Sequence, residues 1–262
     1  MKKIPLRLAL LPAIIIALVA PACKKAIEYW EEHNPAAAYR IDKITYLDVY
    51  GVPDSIAFTY NAWGDPVSGI RTRTSTGYTN FLFQYDQLHR LTDKINIYGV
   101  DLSYWIPPES WDRFFYDDKG RIAVDSQYFF PDIVNGRPVQ GKYGVVTLFY
   151  FEYDAFDRIT RVSMATGGKI FYVNTYSYDS GGNLAGQPHD AMINFRRCNR
   201  IWMFLSRDYS LNNPLNAVYT YNRTGLPLTI DCTGENSQEL IQETMGTLTF
   251  SHATIAYSRA RP

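Results

Sequence analysis

The sequence lacks an excess of charge of either sign, because its 262 residues include 26 Lys and Arg against 26 Asp and Glu. Proteins that neutralise many phosphates carry a basic surplus, so this balance argues against a nucleic-acid partner. The chain also lacks the His-Glu-x-x-His, Cys-x-x-Cys and Gly-x-Ser-x-Gly patterns of metal sites, redox sites and serine hydrolases. We therefore expect no metal, no cofactor and no catalytic residue of these kinds.

No apolar run is long enough to span a bilayer. The longest, residues 8–19, is interrupted by Pro12 and is shorter than the roughly 20 residues that a transmembrane helix needs. Three basic residues precede this run and the small residues 20–22 contain the Ala-x-Ala pattern of a cleavage site. This order is typical of a secretory signal peptide, which we predict for residues 1–22.

Cysteine is scarce, with only Cys23, Cys198 and Cys232. Cys23 directly follows the small residues, and its position resembles the lipobox of bacterial lipoproteins, in which the thiol receives a diacylglycerol. The resemblance implies a lipid anchor at Cys23, a tether over residues 23–37 and a place in the cell envelope, at the outer membrane of a Gram-negative bacterium. Ordinary cleavage after Ala22 is the alternative. Cys198 and Cys232 could form a disulfide in an oxidising periplasm or remain free.

One short motif recurs in the body of the chain, residues 38–262. Its six copies begin at Tyr60, Tyr85, Tyr116, Tyr153, Tyr178 and Tyr221. The second position is always Asp or Asn, whose short side chain can accept hydrogen bonds from the backbone two residues on. The fifth position is Gly in four copies, which suits a residue at positive φ, and the seventh is apolar or Pro. The motif therefore predicts tight turns between antiparallel strands.

Aromatic residues are abundant, with 21 Tyr and 14 Phe, and they favour β-strands. The residue two places before each motif Tyr is also Phe or Tyr, so the two rings share one face of a strand. The residue between them is polar in five of the six copies, which indicates a wet opposite face. We predict an all-β fold, an antiparallel meander that curls into an open barrel or sandwich-like sheet, with its final strands at residues 247–250 and 253–257.

The clearest copy, YDDKGRI at residues 116–122, resembles the YD repeat of the rearrangement-hotspot (Rhs) and teneurin proteins. In that family the repeats form a curled β-sheet. The resemblance covers residues 58–230, and the copies at Tyr85, Tyr116 and Tyr153 keep the Arg that follows the turn. The chain is also similar to small YD-repeat lipoproteins of Gram-negative envelopes. The resemblance implies a fold and a location, and it assigns no catalytic residue.

Two insertions between the repeats carry candidate binding residues, because loops on a rigid scaffold commonly carry function. Residues 98–112 include Trp105 and Trp111, which could stack on a sugar ring or a peptide, or pack over the end of the sheet. Residues 187–214 could cap the open end of the sheet or bind a carboxylate or a phosphate through arginine side chains. The candidates in this second insertion are Arg196, Arg197, Arg200 and Trp202.

Two functions follow from these observations. The first is a non-enzymatic envelope lipoprotein that binds or scaffolds, held at the membrane by its N-terminal lipid and with a glycan or an envelope protein as partner. The second is a lipoprotein enzyme acting on glycan or peptidoglycan, which would need two converging carboxylates or a carboxylate and a His. Turn geometry already accounts for the repeat carboxylates, namely Asp86, Asp117, Asp154 and Asp179. The sequence therefore favours the first function.

Overall fold

The computed structural model describes residues 34–48, 50–102, 106–215, 217–232 and 250–260. The strands in these residues are β1 (Tyr39–Leu47), β2 (Pro53–Tyr60), β3 (Pro66–Arg71), β4 (Asn80–Tyr85), β5 (Leu91–Ile97), β6 (Ser110–Tyr116), β7 (Ile122–Phe129), β8 (Asp132–Val134), β9 (Arg137–Val139), β10 (Val145–Tyr153), β11 (Ile159–Thr166), β12 (Lys169–Thr175), β13 (His189–Ile193), β14 (Asn212–Pro214), β15 (Val218–Tyr221), β16 (Pro227–Asp231) and β17 (His252–Arg259). Two 3₁₀ helices, Pro35–Ala38 and Phe195–Cys198, and the α-helix α1 (Arg200–Ser206) complete the fold. The predicted signal peptide and Cys23 lie outside the described residues.

Thirteen of the described strands form one antiparallel sheet, in the order β12-β11-β10-β7-β6-β5-β4-β3-β2-β1-β17-β16-β15. Most neighbours in the sheet are also neighbours along the chain, as a meander requires. The hairpin β8–β9 is inserted between β7 and β10, and β17 returns to pair with β1. The sheet is not closed among the described residues, since β12 and β15 are its edges. The predicted all-β fold with an open antiparallel sheet is confirmed. The predicted strand at 253–257 lies within β17.

The six motif copies form turns at one end of the sheet, because the strands that lead into them run in the same direction. In each turn the backbone carbonyl of the second residue accepts from the fifth, as when Gly120 N donates to Asp117 O at 3.1 Å. The fifth residue has a positive φ in every copy, from 58° at Asp157 to 90° at Gly64. The Asp or Asn side chain also accepts backbone N–H bonds inside each turn, as Asp117 does from Lys119 and Arg121. These turns have the geometry that the motif predicts.

A seventh turn of the same kind lies at the opposite end of the sheet, and the sequence motif did not predict it. Asp48 accepts from the backbone N–H groups of Tyr50 at 2.9 Å and Val52 at 2.8 Å, and Gly51 has φ 74°. Leu47 stands where the other copies have Tyr. The turn therefore depends on the Asp and the Gly, and the Tyr serves a different purpose.

The two faces of the sheet differ as the sequence predicts. On the inner face, Phe58, Phe83 and Phe114 are all less than 8% exposed. The residue that follows each of these rings is exposed, including the apolar Phe115, which is 49% exposed. Period-two alternation therefore places the aromatic ladder in the core and its polar neighbours in water.

The space in front of the inner face is filled by residues 194–211, which we call the inner segment. Trp202 of α1 is fully buried and makes edge contacts with Phe58 at 5.1 Å and Phe83 at 5.9 Å between ring centroids. Phe204, two residues later, contacts Phe114 at 5.7 Å and Phe151 at 5.1 Å. Strands β2 and β10 are far apart in the sheet order, so the sheet must curl for both to contact one short helix. The inner segment is therefore the second half of the core.

The end of the predicted tether belongs to the packed body. Asn34 is 3% exposed, and its side-chain amide donates to the backbone carbonyl of Arg197 at 2.9 Å. Ala36, in the 3₁₀ helix that follows, is fully buried. None of the helices in the described ranges is long and apolar enough to cross a membrane.

Candidate functional site

The tryptophans proposed from the sequence as a stacking surface do not form one. Trp111 is 3% exposed, and its indole Nε1 donates to Asp93 Oδ1 at 2.7 Å while its ring packs beside Ile95. Trp202 is fully buried in the inner segment. Both are buried, Trp202 among the aromatic rings of the main core and Trp111 in a separate, smaller cluster with Ile95 and Ile97. Trp105 lies outside the described residues.

The buried side chains of the inner segment have structural roles. Arg196 is 3% exposed, and its guanidinium lies 2.9 Å from Asp208 Oδ2. Cys198 and Cys232 are both buried free thiols, so the disulfide that the sequence left open is not formed. Burial raises the pKa of the Cys198 thiol to about 12 and that of Cys232 to about 11. Neither cysteine supplies a thiolate near neutral pH.

Arg197 and Arg200 lie instead on a cavity of about 640 Å³ between the motif turns and the inner segment, which we call the turn-end pocket. The turns beginning at Tyr85, Tyr116 and Tyr153 form one wall, and residues 199–204 of the inner segment form the other. Asn34 lines the pocket as well. The pocket exists only because the turns at one end of the curled sheet surround α1.

The arginines that follow three of the turns build the wall of this pocket. Each forms two bonds to the Asp of its own turn, as in Arg121, whose Nε and Nη2 lie 2.9 Å and 2.8 Å from Asp117 Oδ2. Each guanidinium also lies over the Tyr of the next motif copy. The distances to the ring centroid are 4.8 Å for Arg90 over Tyr116, 4.9 Å for Arg121 over Tyr153 and 4.0 Å for Arg158 over Tyr178. The wall is a row of Asp–Arg–Tyr stacks.

The motif tyrosines join one repeat to the next through their hydroxyls. Tyr85 donates to the carbonyl of Pro66 at 2.6 Å, and Tyr153 donates to the carbonyl of Ile122 at 2.7 Å. In both cases the acceptor is the first strand residue after the preceding turn. Burial raises the pKa of all these hydroxyls, that of Tyr116 to about 12. The tyrosines are therefore fixed structural donors rather than acids for a reaction at neutral pH.

The turn carboxylates are held in their ionised form. Backbone N–H groups, above all that of Arg90, keep the pKa of Asp86 below its usual value, and Arg121 does the same for Asp117. Burial alone would raise the pKa of Asp154, but the bonds from Arg158 and the backbone outweigh it, so this pKa is also lowered. A carboxylate with a lowered pKa is a poor general acid near pH 7. The lowered pKa values therefore agree with a structural role for these carboxylates in closing the turns.

The net charge of the pocket comes from a few side chains. Besides Arg90, Arg121 and Arg158, which are matched by the acids of their own turns, the lining carries three cations, Lys119, Arg197 and Arg200, and two acids, Asp65 and Asp157. The pocket is thus slightly positive, with aromatic and planar polar walls. Such a site can hold a ligand that has a flat body and an anionic group.

A second group of charges lies on the inner face, away from the turns. Lys94 Nζ and Gln127 Nε2 lie 3.5 Å and 2.6 Å from the oxygens of Asp112. Burial, and then the charge of Asp112, raises the pKa of Asp125 well above its usual value. Neither carboxylate lines the turn-end pocket. No group of three or more His, Cys, Asp and Glu in the part of the chain that the structure describes could hold a metal ion.

Sequence reasoning found part of this site. It named Arg197 and Arg200, which the structure brings together, and it missed Arg90, Arg121 and Arg158. The sequence did mark these three arginines, because each stands directly after the turn in one of the three motif copies that keep an Arg there. What the sequence did not contain was the position of the inner segment, without which the turns enclose no pocket.

Comparison with known proteins gives no assignment. No family model and no curated protein matches the chain. Among solved structures, a porin-like protein from Bacteroides uniformis aligns with a TM-score of 0.44 and 11% identity, over 84% of this chain and 98% of that one. The TcdB2-TccC3-TEV structure aligns at 0.30 and 9%, over 73% of this chain and 10% of the other, and TcdB2-TccC3-Cdc42 aligns at 0.25 and 10%, over 74% and 11%. At these TM-scores the likeness assigns no function to the chain.

Proposed function

We propose that the chain is an exported, lipid-anchored envelope protein whose sheet is a non-enzymatic binding scaffold, with the turn-end pocket as its binding site. The observation that supports a binding role is the pocket itself, where Arg197 and Arg200 face a row of Asp–Arg–Tyr stacks across about 640 Å³. Small-ligand sites commonly have volumes of roughly 300–1,000 Å³. The ligand class is a glycan or a segment of an envelope protein that carries a carboxylate or phosphate.

Titration calorimetry tests the pocket with a defined probe. Oligogalacturonate, a chain of sugar rings that each carry a carboxylate, is compared with a neutral oligosaccharide of the same length. We expect only the acidic probe to bind, and Arg200→Gln to weaken it by roughly tenfold or more, since a hydrogen bond to a charged group is worth about 1.5–3 kcal/mol. Arg73→Gln is the matched control, because Arg73 is a 51% exposed arginine at the opposite end of the sheet. Equal binding by all three proteins would contradict the proposed site.

The lipid anchor is tested separately, by the intact mass of the protein from membrane and soluble fractions. We expect a diacylglycerol on Cys23 in the membrane fraction and no mature soluble form. Cys23→Ser removes the acceptor thiol and should abolish the lipid mass without changing the folded body. An unmodified soluble protein that begins at Cys23 would refute the anchor and leave the pocket to be judged by calorimetry.

No contact among the described residues favours the enzymatic alternative on glycan or peptidoglycan. The carboxylates of the turns that form the wall, such as Asp117 and Asp154, are held by backbone N–H groups and arginines with lowered pKa values. The carboxylate with a raised pKa, Asp125, lies away from the pocket on the inner face. His89, Asp65 and Asp157 also line the cavity, but Asp157 is paired with Arg121 at 3.1 Å, and none of the contacts among the described residues joins His89 to either acid as an acid and base pair would require.

A further inference from the structure

The turns around the pocket hold large apolar side chains in solvent. The fourth residue of the turn is Trp63, Leu88 or Phe156 in three copies, with exposed fractions of 72%, 70% and 78%. Lys119 holds the same place in the turn between Leu88 and Phe156 and is also exposed. We call these four residues the turn rim. Scattered exposed apolar residues are normal, whereas large ones that recur at one structural position mark a candidate interaction surface.

The fold does not require apolar residues at this place. The turn forms equally with Thr224 at its fourth position, and in that copy Asn222 still accepts from the backbone of Thr224 and Leu226. The rim side chains contribute little to the core, since their rings and branches lie outside it. Trp63 contacts the ring of His89 at 4.5 Å, and Phe156 lies 5.1 Å from the Arg158 guanidinium, so both rings are held in position at the surface.

The course of the chain brings this end of the molecule near the proposed anchor. The described chain begins at Asn34, which lines the turn-end pocket and is bonded to Arg197. Only 10 residues lie between Cys23 and Asn34, and the 11 peptide links that join these two residues span at most about 40 Å. A lipid on Cys23 therefore keeps the turn end of the sheet within that distance of the bilayer, whereas the opposite end lies a full strand length farther along.

We infer that the turn rim docks on the phospholipid surface to which Cys23 is tethered, so that the turn-end pocket opens toward the bilayer. This inference rests on the proposed lipid anchor. Trp, Phe and Leu side chains partition into the boundary between headgroups and acyl chains, to a depth of roughly 5–10 Å. The exposed Lys119 and Arg200 lie at the same end and match the negative phosphates of the lipids. The tether keeps the rim at high local concentration, so weak partitioning is sufficient.

Fluorescence quenching tests the docking on the lipidated protein. The protein is isolated from membranes and reconstituted in phosphatidylethanolamine and phosphatidylglycerol vesicles, with or without bromine on the acyl chains. The emission of Trp63 is the difference between wild type and Trp63→Phe. We expect this emission to be quenched in the brominated vesicles, because bromine quenches only rings in contact with the lipid. Equal Trp63 emission in both kinds of vesicle, in a protein shown by mass to be lipidated, would overturn the docking and leave the anchor intact.

A second comparison distinguishes docking through the rim from nonspecific adsorption of any exposed aromatic side chain. Trp63→Ser/Leu88→Ser/Phe156→Ser removes the apolar rim, and Tyr50→Ser/Tyr143→Ser removes aromatic rings of 83% and 84% exposure at the opposite end of the sheet. In the lipidated protein, only the rim variant should expose Lys119, which lies in the same row of turns, to faster modification by a water-soluble amine reagent. Equal modification of both variants and wild type would contradict a rim that faces the lipid.

The same variants also test the docking if Cys23 proves to carry no lipid. If intact mass finds no lipid on Cys23, the protein as isolated is sedimented with the same vesicles. Docking then predicts that the rim variant loses affinity by roughly 100-fold, from the apolar area of three side chains, while the Tyr50→Ser/Tyr143→Ser variant binds like wild type. No difference between wild type and the rim variant would overturn the docking independently of the anchor. Far-ultraviolet circular dichroism confirms that each variant is folded.

Discussion

The motif turns and the inner segment that they surround keep their shape in different ways. Each turn is closed by its own atoms, as when Asp154 accepts from the backbone of Phe156 and Arg158 within a span of four residues. The inner segment also has local bonds, such as that from the backbone N–H of Ile201 to Asn199 Oδ1 at 2.9 Å, but its helix α1 is only seven residues long. A helix of that length is not stable alone in water. It is held by the burial of Trp202 and Phe204 against aromatic rings from distant strands.

This difference divides the molecule into local and tertiary parts. A change in one turn should stay in that turn, because its hydrogen bonds join neighbours in sequence. A change in the inner segment should affect the whole sheet, because the ladder on both sides of Trp202 loses its partner. Unequal effects of substitutions in the two regions are therefore the direct test of the comparison.

The largest effect is expected from Trp202→Ala. Removing a fully buried ring between Phe58 and Phe83 leaves a cavity, and we expect a loss of about 3–5 kcal/mol in the free energy of unfolding. Urea denaturation followed by circular dichroism measures it. Trp63→Ala is the matched control, since Trp63 is 72% exposed and its loss should change stability by about 0.5 kcal/mol or less. Similar losses in the two variants would mean that the inner segment is not the centre of the core.

A smaller effect is expected from Asp154→Ala. The variant leaves the N–H groups of Phe156 and Arg158 and the Arg158 guanidinium without their acceptor, and we expect a loss of about 1–2 kcal/mol after allowing for solvent. Asp154→Asn keeps an acceptor for the backbone and should lose less. Urea denaturation ranks the variants, with the exposed Asp118→Ala as control. An Asn variant as unstable as the Ala variant would show that charge, rather than turn closure, is the main contribution.

Tyr153→Phe removes one bond between repeats and keeps the ring. The lost hydroxyl donates to Ile122 at 2.7 Å, so we expect about 1 kcal/mol of destabilisation. Tyr150→Phe serves as control, because Tyr150 belongs to the same strand, lies on the other face and is 39% exposed. Thermal or urea unfolding of both variants measures the difference. Equal stability of the two would mean that the hydroxyl bond between repeats adds nothing to the sheet.

Gly120→Ala tests the backbone of a single turn. Gly120 has φ 76°, and no atom lies within 4 Å of the place where its Cβ would stand, so the cost comes from the backbone alone. We expect a loss of about 1 kcal/mol. His89→Gly makes the reverse change at φ 59° and should be neutral or slightly stabilising. Urea denaturation of both variants decides it, and a stabilising alanine would contradict the positive-φ requirement.

The acid dependence of stability gives the smallest effect, one that is absent at pH 7. Because the pKa values of Asp86, Asp117 and Asp154 are lowered in the folded state, their contribution is complete above the ordinary Asp pKa of about 4 and is lost as the pH falls through the folded values. Asp117→Asn should therefore show a shallower loss of stability between about pH 5 and pH 3 than wild type. Urea midpoints across that range measure it, and parallel curves would contradict the lowered pKa.

The sequence predicted the local features of this protein well. The second and fifth residues of the motif indicated turns with positive φ, and residues such as His89 and Asp157 have that geometry although they are not Gly. The alternation around Phe58, Phe83 and Phe114 indicated which face is buried. The turn at Asp48 was missed only because Leu47 replaces the Tyr. Turns and strand alternation can be predicted from the sequence because each depends on residues only a few positions apart.

The candidate site was predictable only in part. Arg197 and Arg200 were named from their composition and line the pocket, but Trp111 and Trp202, chosen by the same reasoning, are core residues. An Arg or Trp in an insertion has the same appearance in sequence whether it faces solvent or the core.

The amino-acid sequence by itself determined the motif turns, the strand alternation and the open antiparallel sheet, because hydrogen bonds and side-chain period act over short distances along the chain. The tertiary structure alone decided that the inner segment lies inside the curl, that Cys198 and Cys232 stay free, and that arginines from three turns meet Arg197 and Arg200 at one pocket. Those outcomes depend on how far the sheet bends around α1. That curvature is set by the packing of Trp202 and Phe204 against rings that are 53 to 144 residues away in the sequence.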